Sequence, residues 1–533
     1  MKALTGTGGL ARLALRRDRV MLPVWTAIFV LTASSTASST KGLYPTVESR
    51  VKLASNTNDT PSLVALYGKV YDPTSLGAVS MLKMNIFGSL LAAILSIIVV
   101  VRHTRQEEES GRLELVGATV VGRRAPLTAA LLVVLGTNAV IGLLAALGLV
   151  AAGLPVAGSF ASGLAWASVG VAFGAIAAVV AQLTDSARTA IGISSAVLGA
   201  VYLVRAVGDT SDENGPQWLS WLSPIGWGQQ FRPYAGDRWW VALITVTFAA
   251  VMVAVAYALV ARRDLGAGLL PDRPGPATAP ASLGSPLGLA WRLQRGSVIG
   301  WTIGGFVGGL LFGSIATNVD DMLESDQARE FIEKLGGSTQ NLTDAFLATE
   351  LGFVAVFASV FGVQSAMRLR SEETTQRAEP LLATATGRIG WTFSHLLIAL
   401  LGTALILVTV GFGAGLAYGG ATDDMGEVGR LIGAALVQIP AAWVIVGIVI
   451  AAFGLVPRFV VAGWAALVAF LLIGELGPLF ELPEWLMDVS PFAHSPRLPG
   501  GELSATPIAG LLAVAAALIA VGVYGFRRRD ITG

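Results

Sequence analysis

Long apolar segments alternate with short polar ones along almost all of the 533 residues. An α-helix needs about 20 consecutive apolar residues to cross a bilayer. Twelve segments fit this requirement, and they are centred near Ile28, Leu91, Val134, Ala172, Val197, Val251, Val307, Ala355, Leu405, Trp443, Ala469 and Ala516. The pattern predicts an all-α polytopic membrane protein of about twelve transmembrane helices.

Four sequence patterns occur twice, once in each half of the chain. The most detailed is a charged pattern in which nine residues recur at the constant offset of 265 that separates Arg105 from Arg370. The copies are Arg105, Glu107, Glu108, Arg112, Glu114, Ala118, Thr119, Gly122 and Arg123, and Arg370, Glu372, Glu373, Arg377, Glu379, Ala383, Thr384, Gly387 and Arg388. The other repeats pair Arg16 and Trp25-Thr26 with Arg292 and Trp301-Thr302, Trp218-Leu219 and Ser223-Pro224 with Trp485-Leu486 and Ser490-Pro491, and Arg262-Arg263-Asp264 with Arg528-Arg529-Asp530.

The repeats predict two related halves of six helices each. Residues 1–265 form the first half and residues 287–533 the second, and the segment 266–286 between them is rich in Pro, Gly, Ala and Ser, as exposed linkers are. Because six crossings return the chain to its starting side, we expect parallel halves related by a pseudo-two-fold axis along the membrane normal.

Composition and charge support this class. The chain is 54% hydrophobic and only 13% charged, against about 25% charged residues in soluble domains. It has no cysteine, which excludes disulfides, thiol catalysis and cysteine-ligated metals. The net charge of +1 favours no class of partner. We expect no nucleic-acid partner.

The arginines predict the orientation in the cell membrane. They cluster before the first apolar segment and after the second, fourth and sixth, and the second half repeats this distribution. By the positive-inside rule, these loops, the linker and both termini are cytoplasmic. The N-terminus also resembles a secretory signal, but Arg16 and Trp25 recur in mid-chain, so we expect the first helix to be retained.

Two kinds of segment are expected on the outer side. Residues 34–80 and 318–349 are long enough for short amphipathic helices, such as Pro61–Tyr71 and Gln327–Leu335. Residues 217–236 and 483–501 are rich in Trp and Pro, and they are too short and broken to span. We interpret them as interfacial or re-entrant hairpins.

The repeated charged pattern lies in two loops, residues 102–124 (the first charged loop) and 368–390 (the second charged loop). Glu108 with Arg112, and Glu373 with Arg377, have the i, i+4 spacing that supports a helix. One interpretation is a solvated helix whose exposed ion pairs contribute little stability. The other is a docking helix for a two-fold partner, which the constant spacing favours. Pro380 replaces Leu115 and should break or restart the second helix.

Together these motifs resemble the membrane subunit of actinobacterial ABC-2 type (type V) exporters of the tetronasin-resistance kind, over essentially the whole chain. The resemblance implies an amphipathic connecting helix before each half, at residues 10–19 and 287–295. It also implies that each charged loop couples the membrane part to one of two copies of a separate ATP-binding subunit. The implied coupling residues are Arg105, Glu107, Glu108, Arg112 and Glu114, and Arg370, Glu372, Glu373, Arg377 and Glu379.

The chain is not expected to be an enzyme by itself. It has no Gly-x-x-x-x-Gly-Lys-Ser/Thr sequence with which to bind nucleotide phosphates. The implied cofactors, ATP and Mg, would therefore bind the partner subunit. His103, His395 and His494 show no metal-ligand spacing, so we expect no metal site.

The resemblance also implies a central path that the second and fifth helices of each half face, in contact with membrane lipid. An aromatic, uncharged path suits a hydrophobic or amphipathic cargo, a drug or a lipid. The candidate lining residues are Asn85, Phe87, Phe353, Phe357, Phe361 and Gln364. Phe353, Phe357 and Phe361 form an i, i+4, i+8 stripe that also suits plain helix packing. Two alternatives remain: an ion-coupled secondary transporter, although ionisable residues are almost lacking inside the spans, and a non-transport assembly factor or sensor.

Overall fold

A computed structural model describes residues 3–211, 215–264, 266–270, 275–317, 342–476 and 483–531. Within these ranges every regular element is a helix, and no strand occurs. The chain divides into two compact units, Met1–Pro274 and Gly275–Gly533. The division lies inside the predicted linker, residues 266–286.

The first unit has six long apolar helices, with shorter helices before and between them. Its α-helices are Thr7–Arg17, Met21–Leu43, Val47–Asp59, Pro61–Tyr67, Leu76–Ser80, Leu82–His103, Arg105–Glu109, Arg112–Gly117, Ala125–Ala151, Val156–Leu183, Ala187–Thr210, Pro224–Gln230 and Val241–Val260, and a 3-10 helix covers Gln217–Leu222. The predicted outer helix Pro61–Tyr71 is therefore one turn shorter, and residues 217–236 contain only short helices.

The second unit repeats the order of the long helices. Its α-helices are Pro286–Ala316, Leu342–Thr374, Ala378–Leu382, Arg388–Ala421, Gly426–Leu436, Ile439–Leu455, Ala462–Leu476, Glu484–Met487 and Ala505–Arg528, and its 3-10 helices are Ala281–Gly284, Pro457–Phe459 and Pro491–His494. The predicted outer helix Gln327–Leu335 lies outside the described residues.

Eleven helices in the described ranges are long and apolar enough to cross a membrane, which confirms the predicted polytopic class. In this assignment Gly426–Leu455 counts as one span, although it is interrupted at Gln438, where Pro440 lacks the N–H of a continuous helix. The twelfth predicted segment, near Ala469, is a helix of 15 residues, about 22 Å long at 1.5 Å per residue. Residues 477–482, which follow it, lie outside the described ranges.

The two halves differ where the resemblance implies connecting helices. In the first half a separate helix, Thr7–Arg17, precedes the first span, close to the expected residues 10–19. In the second half residues 287–295 form no separate helix, because Pro286–Ala316 is continuous. Pro23 explains the difference, since a proline is tolerated in the first turn of a helix but breaks a helix interior. Ile299 stands at the equivalent position, 276 residues later, and lets the helix continue.

Small residues bring the helices of the first unit close together. A Cβ at Gly142 would lie 2.5 Å from the backbone oxygen of Gly163 on the neighbouring helix, so only glycine fits at this crossing. Trp166 is completely buried one turn further along, 5.8 Å from the ring of Phe29. Close approach at small residues is typical of membrane helix pairs, which gain little from the hydrophobic effect in lipid.

An aromatic cluster forms part of the core of the second unit. The ring of Phe526, near the end of the last helix, lies 5.6 Å from Trp391 and 5.0 Å from Phe453. All three side chains are almost fully buried. The cluster fixes the end of the last helix against the start of Arg388–Ala421, beside the second charged loop.

Candidate functional site

In both charged loops a sharp reversal separates two helical pieces. In the first, Arg105–Glu109 is followed by Arg112–Gly117, and Gly111 between them has a φ of 71°. In the second, Leu342–Thr374 is followed by Ala378–Leu382, and Gln376 has a φ of 58°. Gly111 and Gln376 are equivalent at the offset of 265, so the reversal is a shared feature. It does not depend on Pro380, which lies in the first turn of the restarted helix.

The predicted i, i+4 ion pairs are wrong, because the reversal separates the two residues of each pair. Glu108 and Arg112 lie on different helical pieces. Glu373 lies in the helix Leu342–Thr374, and Arg377 comes after the reversal as the N-cap of the helix Ala378–Leu382. Arg112 contacts Glu107 instead, at 3.3 Å. The two predicted acids, Glu108 and Glu373, turn inward, and their side chains are only 5% and 1% exposed. The expectation of exposed pairs is therefore corrected for these acids.

In the first unit, Glu108 is the centre of a set of contacts that we call the first arginine clamp, formed by Arg105, Glu108, Arg123 and Arg263. Arg263 donates two hydrogen bonds to the carboxylate of Glu108, at 2.5 and 2.8 Å. Arg105 donates a third, at 2.9 Å. Arg123 donates to the backbone oxygen of Arg263, at 2.5 Å. These contacts tie both ends of the first charged loop to the segment that follows the last span of the unit.

The second unit repeats this arrangement as the second arginine clamp, formed by Arg370, Glu373, Arg388 and Arg529. Arg529 donates to both carboxylate oxygens of Glu373, at 2.5 and 2.9 Å, and Arg370 donates at 3.1 Å. Arg388 donates to the backbone oxygen of Arg529, at 2.6 Å. The guanidinium of Arg529 also lies over the rings of Phe453 and Phe526, which adds cation–π attraction.

The clamps fix the position of the charged loops. Bidentate pairing of arginine with a carboxylate fixes orientation as well as distance. In a low-dielectric setting, such a pair is strongly destabilised when one partner is removed. Each charged loop is therefore held in a defined position relative to the second, third and last spans of its own unit.

The neighbouring acids, Glu107 and Glu372, differ between the halves. Glu107 forms ion pairs with Arg17 of the helix Thr7–Arg17 and with Arg112. Leu293 stands at the position equivalent to Arg17, and Glu372 pairs with Arg368 at 2.7 Å. The first charged loop is thus tied by an ion pair to the helix Thr7–Arg17, and the second half has a leucine at the position of that arginine.

Part of each charged loop points outward. Arg112 has a side chain that is 55% exposed, and Leu115 is 76% exposed. Glu114, Arg377, Glu379 and Pro380 are exposed as well. The predicted coupling residues therefore fall into two groups, those that anchor the loop and those that form its outer surface.

The six candidate path residues differ in exposure within each unit. In the first unit Phe87 is 42% exposed, and Asn85 is half-buried with its carbonyl oxygen lacking a hydrogen-bond partner among the described residues. In the second unit Phe357 is 62% exposed, Gln364 is exposed and Phe353 is half-buried. Phe361 is buried and lies 6.5 Å from Trp301. Phe361 therefore packs inside its own unit, as plain helix packing predicts for this position.

Sequence reasoning omitted several residues from the site. The clamp arginines Arg123, Arg263, Arg388 and Arg529 were noted only as signs of duplication, and Leu115 only as a position that differs. Their repetition was the signal that could have identified them, because the Arg-Arg-Asp triplet recurs at the end of both units. What the sequence does not show is that Arg263 meets an acid 155 positions away.

A buried ion pair inside the fifth span was also missed. Arg205 is completely buried, and it contacts the carboxylate of Asp209 at 3.2 Å and the backbone oxygen of Ala65 at 2.5 Å. Ser220 donates to Asp209 at 2.5 Å. The expectation that ionisable residues are almost lacking inside the spans is corrected here. These contacts attach the outer helix Pro61–Tyr67 to the fifth span.

No group of His, Asp and Glu suited to a metal ion occurs in the part of the chain that the structure describes. The three histidines lie apart and have different neighbours. His103 contacts Asp18 at 2.5 Å, His395 contacts Gln294 at 3.1 Å, and His494 contacts the backbone oxygen of Asp488 at 2.8 Å.

Two comparisons with known proteins agree with this architecture. A protein-family profile described as "Multidrug efflux system permease Rv1217c, C-terminal domain" matches residues 8–261 and 283–527. These ranges coincide closely with the two halves. The multidrug efflux system permease protein Rv1217c of Mycobacterium tuberculosis is 46% identical over 530 residues, which cover 99% of this chain and 95% of that protein. The chain therefore belongs to the family of multidrug efflux system permeases that this profile describes.

Proposed function

We propose that this protein is the permease of an ATP-driven exporter that moves hydrophobic or amphipathic small molecules, such as drugs, out of the cell. The observation that carries this proposal is the duplicated charged loop, which is clamped to the membrane helices on one side and exposed on the other. The resemblance to ABC-2 type exporters supports the coupling to ATP, and the mycobacterial multidrug efflux permease supports the cargo class.

In this proposal each charged loop docks on one copy of an ATP-binding subunit, which binds ATP and Mg. Closure of the two subunits on ATP displaces the loops. Because each clamp fixes its loop to three spans of the same unit, the displacement tilts those spans and alternates access to the path. The loops, the linker and both termini face the cytoplasm, as the arginine distribution favours.

The buried Arg205–Asp209 pair supports one alternative, an ion-coupled secondary transporter, because buried charges inside spans are often functional. Both groups have partners, however, and they attach the outer helix to the span. A structural role therefore explains them without ion coupling.

Transport in inside-out vesicles separates the two functions. The chain is co-expressed with its ATP-binding subunit, and uptake of a fluorescent hydrophobic drug is followed after ionophores have collapsed all ion gradients. We expect uptake on addition of Mg-ATP, and none when the phosphate-binding lysine of the subunit is replaced. Uptake that needs an imposed ion gradient and ignores ATP would reject the proposal in favour of the alternative.

A further inference from the structure

A cavity of about 430 Å³ lies in the first unit, between the helix Thr7–Arg17, the first charged loop and the start of the helix Ala125–Ala151. This volume is in the range of about 300–1,000 Å³ that is typical of small-molecule sites. Its walls are apolar and include Leu10, Leu13, Leu113 and Val116. The cavity therefore offers a surface for hydrocarbon at the end of the membrane-spanning region.

The charged groups around the cavity are mostly cationic. Arg16, Arg17 and Arg112 line it, together with Glu107 and His103. Glu107 is already shared between Arg17 and Arg112. Asp18, which follows the helix Thr7–Arg17, is completely buried and contacts Arg102 and His103. An excess of positive charge remains, and it faces the cavity.

The surroundings of Arg17 indicate the same excess. Burial lowers the pKa of this guanidinium, and the nearby Arg112 and Arg102 lower it further, against the opposing effect of Asp18. Cations that crowd one another in this way are stabilised by an added anion.

The position of the cavity indicates the source of that anion. The helix Thr7–Arg17 has exposed leucines, Leu13 at 58% and Leu15 at 49%, and two arginines in its last turn. Arg16 and Arg17 line the cavity on the same side of this helix as Leu10 and Leu13, so the cavity offers positive charge and apolar surface together. The helix directly precedes the first span, which places the cavity near the end of the membrane-spanning region. Basic pockets at such a depth suit the headgroups of anionic lipids.

We propose that this cavity binds the headgroup of an anionic phospholipid from the leaflet next to the charged loops, with its first acyl carbons against the apolar walls. Arg16 and Arg112 contact the phosphate. The second half keeps the two arginines as Arg292 and Arg377 but not the rest of the lining. Leu293 stands at the position of Arg17, Ala378 stands at that of Leu113, and residues 287–295 form no separate helix. One high-affinity lipid per chain is therefore expected, in contact with the first charged loop alone.

Native mass spectrometry of the full chain in a neutral detergent tests this. The chain is titrated with dioctanoyl phosphatidylglycerol or dioctanoyl phosphatidylcholine. We expect one phosphatidylglycerol to bind at least tenfold more tightly than phosphatidylcholine. The double variant Arg16→Gln with Arg112→Gln should weaken phosphatidylglycerol binding about 25-fold, at about fivefold per arginine.

A matched control is the double variant Arg12→Gln with Arg19→Gln, which removes two exposed arginines that do not line the cavity. It should change binding less than twofold. Equal effects of the two double variants, or equal affinity for the two lipids, would overturn the proposal. Glycerol 3-phosphate binding as tightly as the lipid would overturn it too, because the walls would then contribute nothing. Release of the lipid on addition of the ATP-binding subunit would instead assign the cavity to that subunit.

Discussion

The double variant Glu108→Ala with Glu373→Ala is expected to lose much of its thermal stability and to insert poorly. Each substitution leaves two arginines of a clamp without their shared carboxylate, Arg105 and Arg263 in one unit and Arg370 and Arg529 in the other. Removing one partner of a buried ion pair typically costs about 3–5 kcal/mol. Thermal unfolding of the detergent-purified chain, followed by size-exclusion chromatography, measures the loss.

The matched control is Glu114→Ala with Glu379→Ala. These acids lie in the same loops but are exposed, and surface substitutions usually change the free energy of unfolding by less than about 0.5 kcal/mol. If the two double variants unfold at the same temperature as the unsubstituted chain, the clamps do not anchor the loops. The sequence alone predicts that Glu108 and Glu373 are exposed and contribute little stability. The structure shows both side chains buried, which reverses that expectation.

The double variant Leu115→Asp with Pro380→Asp is expected to fold normally but to lose export at least tenfold. Leu115 is the most exposed large hydrophobic residue of the first charged loop, and Pro380 is exposed at the equivalent position. Apolar anchors at the centre of an interface contribute most of the binding energy. A carboxylate buried there without a partner is strongly unfavourable. Drug export and ATP hydrolysis by the co-expressed complex measure the effect.

Leu503→Asp is the control for this prediction. Leu503 is 66% exposed and precedes the last span, on the side that the arginine distribution assigns to the exterior. The Leu503→Asp variant should leave export and ATP hydrolysis unchanged. Normal export by the variant at Leu115 and Pro380 would show that the outer surface of the charged loops is not a docking surface.

The lengths of the apolar segments and the repeated sequence patterns were enough to predict the class and the duplication. Apolar runs of membrane length can be read directly, and repeats with a constant offset leave few alternatives. Pro23, which has no counterpart in the second half, is a local signal for the break before the first span that the sequence analysis did not use. The continuous helix Pro286–Ala316 shows that a resemblance can transfer an element that local sequence does not support.

The contacts of the site could not be predicted in the same way. Local spacing assigned Glu108 to Arg112, but the positive φ at Gly111 separates them and lets Arg263 approach from the end of the unit. At the equivalent position Gln376 also has a positive φ. Because it is not a glycine, the residue type does not indicate the reversal there. Burial was equally hidden, because Phe357 and Phe361 lie one turn apart on one helix and differ in exposure from 62% to 1%.

Cross-linking from single cysteines tests the central claim most directly, because the chain contains no cysteine of its own. Glu114→Cys and Glu379→Cys are introduced separately, with Leu503→Cys as the control, and the chain is co-expressed with its ATP-binding subunit in a drug-exporting complex. A short thiol-to-amine cross-linker should join both loop positions, but not the control, to the ATP-binding subunit, and the doubly substituted chain should capture two copies. A complex that exports drug while neither loop position cross-links to the subunit would contradict the account.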